Sequence, residues 1–108
     1  IPGARIRGVH LRLPGVGIDG PTLEIFQYAT PVEVDAPSPN RVGFGHLAFQ
    51  VDDVEDVRRT VLAAGGSVVG TVETVEIAGV GSLTWTYVRD PEGNIIELQR
   101  VAVRNGGS

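Results

Sequence analysis

Three residues of this 108-residue chain have the type and spacing to do chemistry together: His46, Glu97 and Glu24. His46 opens the run His46-Leu47-Ala48-Phe49-Gln50-Val51, whose period-two alternation is that of a strand. Leu47, Phe49 and Val51 share one face, and His46, Ala48 and Gln50 the other. The bulkier face should pack on a helix, which leaves His46 on the opposite, concave face. Glu97 lies mid-strand between Ile96 and Leu98, with Ile95, Gln99 and Val101 on its own face. An ionised carboxylate in a low-dielectric setting costs several kcal/mol unless it is paired. Glu24 holds the matching place in an earlier strand, with Phe26 and Tyr28 on its face. Each residue has an ordinary alternative: a backbone carbonyl for the histidine, and Arg89 or Arg12 as an ion-pair partner for Glu97. Taken together, two carboxylates at matching positions and one inward histidine point to a shared divalent-metal site. Carboxylate oxygen and imidazole nitrogen suit Zn, Ni, Fe(II), Mn or Co.

Other signals are weaker. His10 aligns with Tyr87 in an internal repeat, on a strand with no other ligand, and reads as a cavity-lining or surface histidine. Trp85, Tyr87, Phe26 and Tyr28 could stack on a small molecule, although strand aromatics ordinarily serve the core. Gly15-Val16-Gly17 and Gly79-Val80-Gly81 lack the following helix that a phosphate loop needs, and read as turns. No Ser-His-acid arrangement is suggested.

The elements that must position these residues are legible. After the strand from His46, Asp52 and Asp53 supply an N-cap, and Glu55 and Asp56 place charge in the first helical turn. Val54, Val57, Val61 and Leu62 recur at helical spacing, and Gly65-Gly66 stops the helix. Ser67 to Val69 and Val72 to Ile77 are short β-branched runs, and Leu83 to Arg89 is a strand. Asp90-Pro91-Glu92-Gly93 has type I turn chemistry and leads into the strand Asn94 to Val101. Residues 43–103 therefore read β-α-β-β-β, with Asn105 to Ser108 as a frayed end.

The front of the chain repeats the end of that pattern. Val9-His10-Leu11-Arg12-Leu13-Pro14 parallels Thr86-Tyr87-Val88-Arg89-Asp90-Pro91, and Thr22-Leu23-Glu24-Ile25-Phe26 parallels Ile95-Ile96-Glu97-Leu98-Gln99. Residues 5–28 form a closing hairpin of a first module, and 29–42, with Pro31, Pro37 and Pro39, a linker. The β-α-β that should open the first module is missing, and strands with one apolar face need a cover. With no methionine and a start at Ile1-Pro2-Gly3, a processed or partial chain is expected.

Composition bounds the function. The apolar fraction of 42% and charged fraction of 20% are those of a globular domain, one small unit across residues 1–108. A net charge of -4, with nine scattered arginines and no lysine, argues against nucleic acid. No stretch is apolar enough for a membrane span and no signal peptide is evident, so a cytoplasmic location is expected. Cysteine is absent, which excludes disulfides and thiolate chemistry.

The runs Gly45-His46-Leu47-Ala48-Phe49-Gln50-Val51-Asp52-Asp53-Val54 and Tyr87-Val88-Arg89-Asp90-Pro91-Glu92-Gly93-Asn94-Ile95-Ile96-Glu97-Leu98 resemble the opening and close of the second module of the vicinal-oxygen-chelate (glyoxalase, bleomycin-resistance, dioxygenase) superfamily. Leu23-Glu24-Ile25-Phe26-Gln27-Tyr28 resembles the end of its first module. The resemblance implies an α+β fold of paired βαβββ modules forming a half-open mixed-sheet barrel. It also implies a divalent ion held by His46, Glu97 and Glu24. The fourth ligand belongs on the first strand of module one, which this chain lacks. Implied too are a small-molecule substrate with vicinal oxygens and pairing of modules, including in a homodimer. The implied activity is a glyoxalase-like lyase or isomerase, in which the ion stabilises an enediolate and Glu97, or alternatively Glu24, is the base. An extradiol-type dioxygenase and a non-catalytic, bleomycin-resistance-like binder are the alternatives.

Overall fold

The computed structural model describes residues 1–103; the tail read as a frayed end lies outside them. The chain divides into two compact units, Ile1–Val34 and the part from Asp35 onward. The division falls inside the proline-bearing stretch read as a linker. The fold is α+β, with one helix, a two-stranded sheet and an open four-stranded mixed sheet.

The first unit is a hairpin. Strand β1 (Ile6–Arg12) pairs antiparallel with β2 (Thr22–Tyr28), and His10 stands directly opposite Glu24. Alternation puts Ile6, Gly8, His10, Arg12, Thr22, Glu24, Phe26 and Tyr28 on one face. Val9, Leu11, Leu23 and Ile25 occupy the other. Gly8 faces Phe26 across the pair, and a Cβ there would meet the Phe26 ring at 2.8 Å. The absent side chain is what lets that ring lie over the neighbouring strand.

The second unit runs β3 (Leu47–Gln50), α1 (Val54–Ala63), β4 (Ser67–Ile77), β5 (Gly81–Arg89) and β6 (Ile95–Val103). The sheet order is β3-β6-β5-β4, with β3 parallel to β6 and the other pairs antiparallel. The β-α-β-β-β reading is thereby realised, with two adjustments. The two β-branched runs are a single strand, β4, interrupted by a bulge between Val69 and Glu73. His46 stands one residue before β3 rather than within it.

Local chemistry explains the helix. Asp53 caps it, its Oδ1 accepting the N–H of Asp56 at 3.0 Å, and Glu55 and Asp56 lie in the first turn. At the far end Gly65 N–H reaches Leu62 O and Gly66 N–H reaches Val61 O, with Gly65 at φ 98°. This pair of bonds satisfies the last carbonyls and needs a left-handed residue, which glycine provides without strain.

The core is small and lies between α1 and one sheet face. Val54, Val88 and Leu98 form its centre, with Val51, Val57, Val61, Val72 and Ile96 packed around them. Thr86 is also fully buried there, and its hydroxyl donates to Thr71 O in the bulge of β4. Arg58 of α1 donates to the neighbouring Gly70 O. Two bulge carbonyls are thus answered by groups from the sheet and the helix. Among the described residues no helix is long and apolar enough to cross a membrane.

Candidate functional site

The register across the four strands fixes what stands on the face away from α1. Val88, Ile96, Thr86 and Leu98 point to the helix, so their neighbours Tyr87, Glu97, Trp85 and Gln99 point the other way. Tyr87 stands opposite Glu97, and Ala48 of β3 opposite Glu97 on the other side. The small Ala48 side chain leaves the space beside Glu97 to His46, two residues earlier on the same face.

His46 Nε2 lies 3.1 Å from Glu97 Oε1, and the His46 ring meets Tyr87 edge to face with centroids 5.2 Å apart. Glu97 is well shielded at 15% side-chain exposure, against 36% for His46. Burial raises the Tyr87 phenol above its ordinary value of 10.0, and the Glu97 carboxylate beside it adds to the rise. Among the described residues of this unit, neither Arg89 nor any other arginine pairs with Glu97. Arg89 instead donates to Pro37 O at 2.8 Å and Gly93 O at 2.7 Å. The ion pair considered from sequence is therefore replaced by a histidine, because Arg89 is spent on holding the chain's approach to the sheet.

In the first unit Glu24 has its own imidazole. His10 Nε2 lies 3.1 Å from Glu24 Oε1, and His10 Nδ1 lies 3.3 Å from Thr22 Oγ1. Sequence reasoning passed over His10, taking its strand to carry no other ligand. The signal was nonetheless present: the repeat aligns His10 with Tyr87, and each lies opposite a glutamate in its hairpin. Phe26 and Tyr28 share the face of Glu24 and are about half exposed. Trp85 shares the face of Glu97 one pair away from Tyr87 and is half-buried. Within either unit, no three or more His, Asp or Glu side chains group tightly enough among the described residues to hold a metal; the donors come as pairs.

The donor chemistry of these pairs fits a divalent ion. Ligand nitrogen and oxygen bound at about 2.0–2.2 Å stand about 2.9 Å apart at a right angle and about 3.4 Å apart at the tetrahedral angle. The His46–Glu97 separation of 3.1 Å lies between the two. An imidazole and a carboxylate can therefore meet one cation without rearranging the strands.

A mixed-sheet face with a His–Glu pair, on the side away from its helix, defines the class to which comparison with known proteins then assigns the chain. The profile of the Glyoxalase/Bleomycin resistance protein/Dioxygenase superfamily matches residues 7–98. The chain belongs to that superfamily. It is 42% identical over 55 residues to proteins named "Probable lactoylglutathione lyase" from Vibrio parahaemolyticus and Vibrio cholerae. These matches cover 51% of this chain and 38% of each relative, so the similarity spans well under half of those proteins. A crystal structure of a glyoxalase family protein from Bacillus cereus superposes with a TM-score of 0.58 at 23% identity. That match covers 74% of this chain and 53% of the other, and it shows the shared fold.

Proposed function

We propose that the protein is a metal-dependent, glyoxalase-like lyase or isomerase acting on a small molecule with two vicinal oxygens. The observation that carries this reading is the His46–Glu97 pair at 3.1 Å on the helix-free face. The superfamily and the names of the relatives support it. Zn, Ni, Fe(II), Mn or Co would be held by His46 Nε2 and a Glu97 oxygen. Glu24 is proposed as a donor of the same kind in the first unit on the strength of the repeat, since it holds in β2 the place of Glu97 in β6. Such an ion supplies Lewis acidity toward the two substrate oxygens.

The chain's own residues account for the rest. Glu97 has two oxygens, and only Oε1 is engaged by His46. A Glu97 oxygen would take a proton from carbon next to a polarised carbonyl, and return it at the neighbouring carbon. The Tyr87 phenol stays protonated across the physiological range and can donate to the same carboxylate or to a substrate oxygen. Trp85 offers an apolar surface beside it. The proposal includes a homodimer, which sedimentation would show directly.

Proton exchange from a 2-hydroxycarbonyl compound in deuterated water, followed by NMR, tests the activity with no assumption about the full substrate. Metal-loaded protein is expected to speed that exchange, and Glu97→Gln to slow it by about 100-fold or more. Metal analysis of His46→Ala and Glu97→Ala should show loss of the bound ion. Full metal content in both variants would refute the site. Retained metal with no exchange in the unmodified protein would favour the ring-cleaving dioxygenase, while tight ligand binding without any metal would favour the sequestering protein.

A further inference from the structure

The row of side chains beside the His46–Glu97 pair carries hydrogen-bonding groups that the proposed reaction leaves idle. Gln99 follows Glu97 on the same face of β6. In register, Gln50 of β3 stands opposite Gln99, Gln99 opposite Trp85 of β5, and Trp85 opposite Glu73 of β4. We propose that Gln50, Gln99, Trp85 and Glu73 form the subsite that selects the substrate. It takes an uncharged planar ring with a hydroxyl or N–H substituent, joined directly to the vicinal-oxygen group. The inference deepens the proposed function and rests on it for where those oxygens lie.

Three features of the row lead there. Its polar groups are free: among the described residues the Trp85 indole N–H and the Gln50 and Gln99 amides have no hydrogen-bond partner, and the indole meets no other ring. Trp85 and Gln99 are nonetheless half-buried, where an indole N–H ordinarily finds an acceptor. The spacing matches one ring. Neighbouring strands lie about 4.8 Å apart, so the strands of Gln99 and Glu73 flank Trp85 with about 9.6 Å between them. A single ring lies flat on the indole in that width, its edges toward an amide on one side and a carboxylate on the other. Along β6 two residues rise about 6.8 Å, the reach of one ring attached to the oxygen-bearing carbons at Glu97. The charge disfavours anions. Glu73 accepts the Thr71 hydroxyl at 2.6 Å on Oε1 and gives the row a negative end. Arg89, the arginine on this face of the described strands, is held by Pro37 O and Gly93 O and does not offset that charge.

Trp85 is the chain's only tryptophan, so proton–nitrogen NMR of the full nitrogen-labelled chain gives one indole N–H signal. The chain is titrated with hydroxymethyl ketones carrying a para-hydroxyphenyl, phenyl, para-carboxyphenyl or cyclohexyl group. The para-hydroxyphenyl ketone is expected to move the indole signal and to bind about tenfold tighter than the para-carboxyphenyl or cyclohexyl ketone. Gln99→Leu keeps the bulk of the side chain and removes its amide. It should weaken the para-hydroxyphenyl ketone by about fivefold to tenfold, and more than it weakens the phenyl ketone. An unmoved indole signal, equal affinities across the series, or equal weakening of both aryl ketones in Gln99→Leu would overturn the subsite. Proton exchange from hydroxyacetone alongside such a result would leave the proposed function standing. The expected order of affinities with no exchange and no bound metal would keep the subsite and remove the proposed function.

Discussion

Glu97 is the most shielded of the three candidate donors, and its neighbours set what that shielding does. Its carboxylate meets the His46 imidazole, and its charge is felt by the Tyr87 phenol, whose ring also touches His46. Burial, and then the Glu97 charge, raise the Tyr87 phenol above 10.0. A group whose pKa is raised on folding stabilises the folded state fully below its unfolded value, and loses that contribution as pH rises through the folded one. The window therefore opens at about pH 10 and extends upward. In metal-free Tyr28→Phe protein, the tyrosinate absorbance is expected to rise with a midpoint above 10.0. Adding Glu97→Gln should lower that midpoint without returning it to 10.0, because burial is the larger cause. A midpoint unmoved by Glu97→Gln would show that the two groups do not interact. At this scale the sequence was informative about face and silent about partner. Alternation alone placed His46 and Glu97 away from the helix. The pairing of His10 with Glu24 depended on which residues stand opposite across β1 and β2.

The helix and the sheet face beneath it are specified by local rules that each element obeys. Asp53→Ala removes the acceptor of the Asp56 N–H and should cost about 1 kcal/mol, measured by urea unfolding. Gly65→Ala forces an L-residue to φ 98° and should cost about 1–2 kcal/mol. Leu98→Ala opens a hole under α1 at a residue only 3% exposed and should cost about 2–5 kcal/mol. Equal small losses in all three would mean that α1 contributes little to the unit. The helix stood out in sequence because caps, first-turn acids and the glycine stop agree with the apolar spacing. Strand β4 was less plain, since Gly70-Thr71 breaks its pattern. The break is a bulge, and its carbonyls are satisfied by Thr86 and Arg58, which are distant in sequence.

Across the whole molecule, each unit carries one hairpin with a glutamate on β2 or β6 and an acid–base group opposite. Arg89 fastens the start of the second unit by binding Pro37 O and Gly93 O together. Arg89→Ala should loosen residues 35–45, seen as faster amide exchange there with α1 unchanged. Metal binding should also appear as stability, because an ion that binds only the folded chain shifts the unfolding equilibrium. Free zinc at about 100 times its dissociation constant is expected to add about 2.7 kcal/mol. Thermal unfolding of His46→Ala should then show a smaller gain than the unmodified chain. An undiminished gain would place the ion elsewhere.

The amino-acid sequence by itself determined the helix, the strands, the repeat of the closing hairpin and the face on which each candidate residue stands. Those follow from spacing within a few residues, where propensity, capping and alternation act. Tertiary structure alone decided the partners: His46 on Glu97, His10 on Glu24, Arg89 on backbone carbonyls, and a bulge joining two runs into β4. The reason is that such contacts join positions far apart in the chain. Strand register sets them, and register is a property of the assembled sheet rather than of any one segment.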